Sequence, residues 1–433
     1  MVMAFNMIVF YTFVPSNRII GMEMKKYIIT LLTFVMTVAS WAQVETYDMG
    51  ESSNIVNNGS GYGSSNEWLW GVKNRLDGLM EENLLKTSQL GLLVYDLTTN
   101  EVVYQKNEQQ RMRPASVMKL VTSITALDML GGNYDYKTSI CYTGTLAGDT
   151  LRGYLYCVGG FDPMLSRQDV AAMADTIHRF GISRIEGMIV ADLTMKDTLS
   201  YGSGWCWDDD NDRLTPLLVD KKDRFLYAMA EELRAHGVDL DITFARGKLP
   251  QRCTEIYMLR RNINQVLQRM MKQSDNLYAE SMFYQIAANS STEPGKASDA
   301  SGAMKRLVYK LGLDPTMYSF ADGSGLSLYD YVSPELIVKL LRYAYQYPEI
   351  YSCLYPVLPI AGVDGTLENR MKKGKATGNV RAKTGTVNGV STLAGYCRAV
   401  NGHQLCFAIF NQGVVKSSDG REFQNKVCEA LCK

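Results

Sequence analysis

Three short motifs contain, in chain order, the residues that a serine needs for acyl transfer. They are Ser116-Val117-Met118-Lys119, Ser274-Asp275-Asn276 and Lys383-Thr384-Gly385-Thr386. A serine hydroxyl is a weak nucleophile until a neighbouring base takes its proton. Lys119 follows Ser116 by three residues, so on a helix the two side chains share a face. A lysine is a base only when largely neutral, and burial or a nearby cation favours that state; Lys383 is the candidate cation. Ser274 could relay the proton to the leaving group, and Asn276 can donate to a substrate amide. Lys383 and Thr384 offer a cation and a hydroxyl to a carboxylate. The backbone N–H groups of Ser116 and Thr386 are the natural oxyanion donors. A strand running on from Lys383 could pair with an extended peptide. Each motif alone has a bland reading: a helix N-cap, a polar helix turn and a strand-edge turn. Three in order, each in a fitting context, argue for chemistry.

The surrounding pattern supplies elements that can hold these residues. Glu67 to about Leu84 has helical spacing, and Leu90–Asp96 and Glu101–Gln105 read as strands joined by a turn at Thr98-Thr99-Asn100. An apolar helix over Ser116–Met129, stopped by Gly131-Gly132, puts Ser116 near a helix N-terminus, where negative charge is favoured. A second helical stretch, from Ile263 to about Ala288, carries Ser274. Strands Ser391–Val400 and Gln404–Asn411 and a last helix over Ser418–Leu431 follow. Between residues 133 and 252 short strands (Thr138–Thr143, Met188–Asp192) alternate with helices (Ser166–Phe180, Arg224–His236). The expected class is α+β: an antiparallel sheet flanked by helices, with one small inserted α/β domain over 133–252 and the main domain formed by 67–132 and 253–433.

Composition excludes several classes. In 433 residues, Lys+Arg and Asp+Glu both number 45, so no charge excess favours nucleic acid. At 46% hydrophobic and 21% charged, the chain is globular. Met24-Lys25-Lys26, the apolar run Tyr27–Val38 and Ser40-Trp41-Ala42 read as a signal peptide over 24–42, with an uncleaved signal anchor as the alternative. Residues 1–23 resemble an upstream, non-native extension, and 43–66 a flexible leader. Export from the cytoplasm is the expectation. His178, His236 and His403 lack ligand spacing and read as structural, so no metal or cofactor is expected. Trp205 and Trp207, with Asp208–Asp210, could line a groove or anchor the insert. None of the nine cysteines forms a C-x-x-C pair. A two-residue turn at Asn401-Gly402 would set Cys397 opposite Cys406, either as a disulfide or as two reduced core thiols.

The three motifs together resemble the signature of penicillin-binding proteins and class A β-lactamases. The wider chain resembles the class C low-molecular-mass penicillin-binding proteins of the D-alanyl-D-alanine carboxypeptidase/endopeptidase type, peptidase family S13. The likeness is carried by Arg113–Lys119, Gly159-Gly160-Phe161-Asp162-Pro163, Gly204-Trp205-Cys206-Trp207-Asp208-Asp209, Ser274–Glu280 and Asp322–Ser327. It implies a β-lactamase/transpeptidase-like fold and a periplasmic serine DD-peptidase. In that role Ser116 is the nucleophile and Lys119 the base. Ser274, Asn276 and Lys383 complete the catalytic set, and Thr384, Gly385 and Thr386 bind substrate. The implied partners are peptidoglycan stem peptides, and β-lactams as covalent inhibitors, with no nucleic acid. The likeness leaves open a peripheral membrane or wall association and a homodimer. It assigns Asp162 to the substrate's diamino-acid side chain, with Phe161 intruding in that stretch. Two departures stand out. The interval from Ser116 to Ser274 has room for one inserted domain and not for two nested ones. Leu328 also stands where the family often has Arg, which bears on side-chain recognition. The competing readings are a β-lactamase or esterase of the same fold, and a non-catalytic wall-binding paralogue. Hydrolysis of a β-lactam by a class A enzyme uses a Glu and a held water; no Glu-x-x-Leu-Asn follows Ser274, and Glu293 precedes Pro294-Gly295.

Overall fold

The computed structural model describes residues 62–209, 211–291 and 294–433. The expected signal peptide and upstream extension lie outside these residues, as do Glu293 and the leader up to residue 61.

The first helix, α1 (Tyr62–Leu79), begins inside the expected leader and leads to β1 (Gln89–Asp96) and β2 (Glu101–Lys106). A 3-10 turn, Ala115–Val117, opens into α2 (Met118–Leu130). Then come β3 (Asp135–Ala147), β4 (Thr150–Val158), α3 (Arg167–Arg179), β5 (Arg184–Asp192), α4 (Phe225–Ala235), β6 (Asp239–Arg246) and β7 (Thr254–Asn262). Helices α5 (Ile263–Lys272), α6 (Asn276–Ser290), α7 (Ala297–Lys310), α8 (Pro334–Gln346) and α9 (Pro348–Leu354) follow. The chain closes with β8 (Arg381–Val387), β9 (Gly389–Arg398), β10 (Gln404–Val414) and α10 (Ser417–Cys432).

The strands form two five-stranded sheets, ordered β2-β1-β10-β9-β8 and β6-β5-β4-β3-β7. The first is antiparallel throughout. Both of its faces are covered, so β1 reads as a continuous apolar run. Leu90, Leu92 and Val94 pack with Trp68 and Val72 of α1 and Phe423 and Val427 of α10. Leu93 and Tyr95, from the other side of the pleat, join a second core with α2, α6 and α8. Helix α2 is buried through its first ten residues and α6 through Ala287, which is why both sequences are apolar all round. These two central helices carry Lys119 and Asn276.

The second sheet is mixed: β4, β5 and β6 run parallel, and β3 is antiparallel to β4 and β7. It packs on α3 and α4 around Ile140, Leu155, Ile189 and Met229. The pairing of β7 with β3 carries this sheet to Asn262, beyond the boundary expected at residue 252. No residue of β7 is buried and its exposure does not alternate, so its sequence lacks the period of two that marks a half-buried strand.

Two sequence expectations fail for identifiable reasons. The expected helix over 263–288 is broken into α5 and α6, with Ser274 at φ +60 between them. The β9–β10 hairpin also turns through three residues. Ala399 N donates to His403 O and Gly402 N to Ala399 O, both at 2.9 Å, with Gly402 at φ +89. A three-residue loop closed by a left-handed glycine shifts the register by one relative to a two-residue turn. Cys397 therefore faces Leu405, and Cys406 faces Tyr396. A one-residue shift flips side chains to opposite faces: Cys397 lies in the α1/α10 core and Cys406 in the α2/α6 core, so the expected Cys397–Cys406 pairing does not form.

Candidate active site

Four segments converge on Ser116. The nucleophile's own turn is forced into shape: Ala115 is at φ +46, a region uncommon for a residue with a side chain. Strand β8 presses on this turn. A Cβ on Gly385 would lie 2.9 Å from Ser116 N, 2.8 Å from Pro114 O and 2.2 Å from Thr392 Oγ1. Only glycine allows the backbones to approach so closely. Thr392 Oγ1, from β9, donates to Pro114 O at 2.7 Å and ties the turn to the sheet.

Lys119, the second residue of α2, is completely buried. Its Nζ donates to Ser116 Oγ at 2.9 Å, Asn276 Oδ1 at 2.8 Å and Ser324 O at 2.8 Å. Three acceptors match the three donors of an ammonium. Burial lowers this lysine to about 8, against the raising effect of the Asp322, Glu280, Asp275 and Asp330 carboxylates. Of the two causes expected from sequence, burial lowers Lys119, and the Lys383 charge is not among its main influences. That influence runs the other way: Lys383 is held well below the usual lysine range by burial and then by the Lys119 cation.

The break between α5 and α6 positions the second motif. Asp275, in extended conformation, caps α6 and is held by Lys221 Nζ at 2.7 Å and Arg269 Nε at 2.9 Å. Burial alone would raise its pKa, but these two cations outweigh that effect and keep the carboxyl below its ordinary value. With Asp275 fixed and Ser274 left-handed, Ser274 Oγ turns toward β8 and accepts from Lys383 Nζ at 2.8 Å. Lys383 Nζ also donates to Thr384 O at 2.8 Å, and Thr384 Oγ1 to Thr366 Oγ1 at 2.7 Å.

Strand β8 is an edge strand. Ala382 N donates away from the sheet to Pro359 O at 3.0 Å. Side alternation along a strand then directs the N–H groups of Thr384 and Thr386 to the same free edge. Thr386 is exposed. A polar cavity of about 200 Å³ opens beside Ser274 and Asn276, bordered by Trp205, Asn211, Asp212 and Lys221.

Ser116, Lys119, Ser274, Asn276, Lys383, Thr384, Gly385 and Thr386 thus come together. Asp162 has other hydrogen-bond partners. Its side chain is 2% exposed and accepts from Arg261 Nε at 3.1 Å and Met164 N at 2.9 Å. Burial raises it despite these donors. The inserted Phe161, at φ +51 and buried against Tyr284, fixes this stretch as a structural corner.

Residues with no role assigned from sequence complete the site. Asp322 accepts from Ser324 N, Gly325 N, Ser327 N and Trp205 Nε1 at 3.0, 2.6, 2.8 and 2.8 Å. This carboxylate folds the 322–327 turn that offers Ser324 O to Lys119. Trp205 is therefore an anchor, whereas Trp207 is 98% exposed. Thr366 carries no motif, and no sequence signal marks it. Cys206, Asp208 and Asp209 gather possible metal-ligand atoms at the surface, but Asp209 already accepts from Cys206 N at 2.7 Å. His403 is engaged by Asp96 at 2.6 Å. Among the described residues no helix is long and apolar enough to cross a membrane.

Comparison with known proteins agrees with this geometry. The family model described as "D-Ala-D-Ala carboxypeptidase 3 (S13) family" matches residues 72–217 and 213–432. D-alanyl-D-alanine carboxypeptidase DacB of Haemophilus influenzae is 23% identical, over 77% of this chain and 87% of its own length. The D-alanyl-D-alanine carboxypeptidase of Actinomadura sp. is 25% identical, over 79% and 81%. The crystal structure of penicillin binding protein 4 (dacB) from Haemophilus influenzae superposes with a TM-score of 0.74 at 22% identity, covering 83% of this chain and 98% of that one.

Proposed function

The chain belongs to the D-Ala-D-Ala carboxypeptidase 3 (S13) family of serine peptidases, enzymes of the cell wall that bind penicillin, and from that premise we propose that it works through an acyl-enzyme on Ser116. The observation that carries the reading is the Lys119 ammonium shared between Ser116 Oγ and Asn276 Oδ1, with the Lys383–Ser274 pair facing it.

Neutral Lys119 takes the Ser116 proton as Oγ bonds to the carbonyl carbon of the penultimate D-Ala. The N–H groups of Ser116 and Thr386 hold the oxyanion. The C–N bond then breaks, and the departing D-Ala amine receives a proton through Ser274. Lys383 lowers the cost of that transfer by hydrogen-bonding Ser274 Oγ. Asn276 orients the substrate amide, and Thr384 receives the terminal carboxylate. The free edge of β8 pairs with the stem peptide, with Gly385 giving it room. Water releases the acyl group by the reverse proton route. A β-lactam amide is attacked in the same way, but its leaving amine remains tethered, so the adduct persists.

The same route opens cross-linked peptides, giving endopeptidase action. The segment 24–42 supports export to the periplasm, and the second sheet is the inserted domain of a transpeptidase-like body. Leu328, 40% exposed beside the cleft turn, directs side-chain selection away from an acidic group. The test is intact-mass spectrometry of the mature protein with and without penicillin, followed by peptide mapping. A stable one-to-one adduct on Ser116, absent in Ser116→Ala, is the expected result. Hydrolysis of penicillin without an adduct would make the protein a β-lactamase, and neither outcome would leave it a non-catalytic wall-binding protein.

A further inference from the structure

We infer that Glu280 is a positioning residue for Lys119: from α6 it holds the Gly323–Ser324 turn against that lysine, and as a buried carboxyl beside it, it governs the pH at which Lys119 can take the Ser116 proton. The inference rests on the acyl-enzyme reading above and adds a residue that the three motifs leave out.

Glu280 lies four residues after Asn276 on α6, hence on the same face. It is 1% exposed. Its Oε1 and Oε2 both face Gly323 N, at 3.1 and 3.3 Å. The peptide that follows is the working part: Ser324 O accepts from Lys119 Nζ at 2.8 Å, and Gly323 O from Thr122 Oγ1 at 2.6 Å. One helix therefore grips Lys119 twice, directly through Asn276 and indirectly through Glu280 and the turn.

The charged neighbours explain why this carboxyl matters for proton transfer. Asp322 and Asp330 face Glu280 from the turn, and Lys119 faces it from α2. Lys196, ion-paired with Asp197, approaches over the Tyr284 ring at 4.4 Å. On its other sides Lys119 meets Asp275 and, from β8, Lys383. The three buried acids are served unequally. Asp322 accepts four N–H donors, whereas Glu280 has the Gly323 N–H and the Ser324 side chain. Asp330 accepts from Ala321 N at 2.7 Å. A buried carboxylate with few donors is costly, so it holds its proton instead. Burial and then the Asp322 charge push Glu280 up to about 8, where Lys119 also titrates. Burial and the Asp322 carboxyl push Asp330 up as well.

Two adjacent groups that titrate together lose their protons as a pair. When Glu280 ionises, its charge stabilises the Lys119 ammonium and delays the appearance of the base. The sign of the test follows. Replacing Glu280 by Gln keeps an acceptor for Gly323 N but removes the charge, so Lys119 becomes neutral at lower pH.

The experiment measures the rate constant for acylation of the mature protein by penicillin as a function of pH, for wild type, Glu280→Gln and Asp330→Asn. Asp330→Asn retains an acceptor for Ala321 N, and it serves if Glu280→Gln does not fold, as judged by circular dichroism. In Glu280→Gln the midpoint of the rising limb should move down by on the order of one pH unit, and the limb should narrow to a single ionisation. In Asp330→Asn it should move the same way by less, because a smaller share of the charge on Lys119 is removed. Glu280→Asp should return the midpoint toward the wild-type value. A slower rate with an unmoved midpoint would reduce Glu280 to a structural prop and overturn the inference, as would an upward shift. Absence of any wild-type adduct on Ser116 would instead overturn the acyl-enzyme reading, so the two failures are distinguishable.

Discussion

Replacing Gly385 by Ala tests the packing of β8 against the nucleophile turn. A methyl group at this position would lie 2.9 Å from Ser116 N, 2.8 Å from Pro114 O and 2.2 Å from Thr392 Oγ1. Ordinary carbon contacts begin near 3.4 Å, so the two backbone atoms must each retreat by roughly half an ångström. Thr392 Oγ1 can rotate away only by giving up its 2.7 Å bond to Pro114 O, which costs about 1 kcal/mol. Overpacking of this kind adds about 1–3 kcal/mol of destabilisation. The kinetic effect should exceed the thermodynamic one, because a displacement approaching 1 Å at a reacting group costs up to about 100-fold in rate. Gly385→Ala should therefore remain folded, with a moderately lower Tm. It should still form an adduct on Ser116, but about 10- to 100-fold more slowly at equal penicillin concentration. Stopped-flow acylation with a chromogenic β-lactam, beside a thermal melt, gives both numbers. Acylation within about twofold of wild type in a folded variant would refute the claim that β8 sets the position of Ser116.

Three further outcomes follow from the same geometry. Acylation by the wild-type protein should rise with pH through about 8, since the Lys119 ammonium must lose its proton before it can act as a base; a flat profile over that range would contradict a lysine base. Trp205→Phe removes the Nε1 donor to Asp322 and leaves a buried carboxylate with one partner fewer. It should lower stability by about 1–3 kcal/mol in a denaturant melt and also slow acylation. Peptide mapping after thiol alkylation should find no Cys397–Cys406 cross-link, because the two thiols lie in different cores; recovery of that linked pair would refute the three-residue turn.

The chemistry was legible in the sequence because it depends on residue type at short range. Ser116 and Lys119 share a helix face through their spacing alone, and the apolar run after them announces a buried helix. The short apolar segments around residues 90, 395 and 407, bounded by turn residues, likewise announced strands, since those signals are local. Tertiary structure decided what depends on distant partners. Ser274 leaves the helix because Lys221, Arg269 and Lys383 hold its neighbourhood from elsewhere in the chain. Asp162 resembles a recognition residue in its motif, but Arg261, 99 positions away, makes it part of a buried ion pair. The hairpin register turned on whether Gly402 closes a loop of two residues or three, a difference that the dipeptide Asn401-Gly402 does not encode. The lowered proton affinity of Lys119 comes from burial, which outweighs the opposing carboxylates on two other segments, and burial is a property of the assembled core. Residue types and spacing marked the candidate residues, while the long-range contacts determined which of them meet.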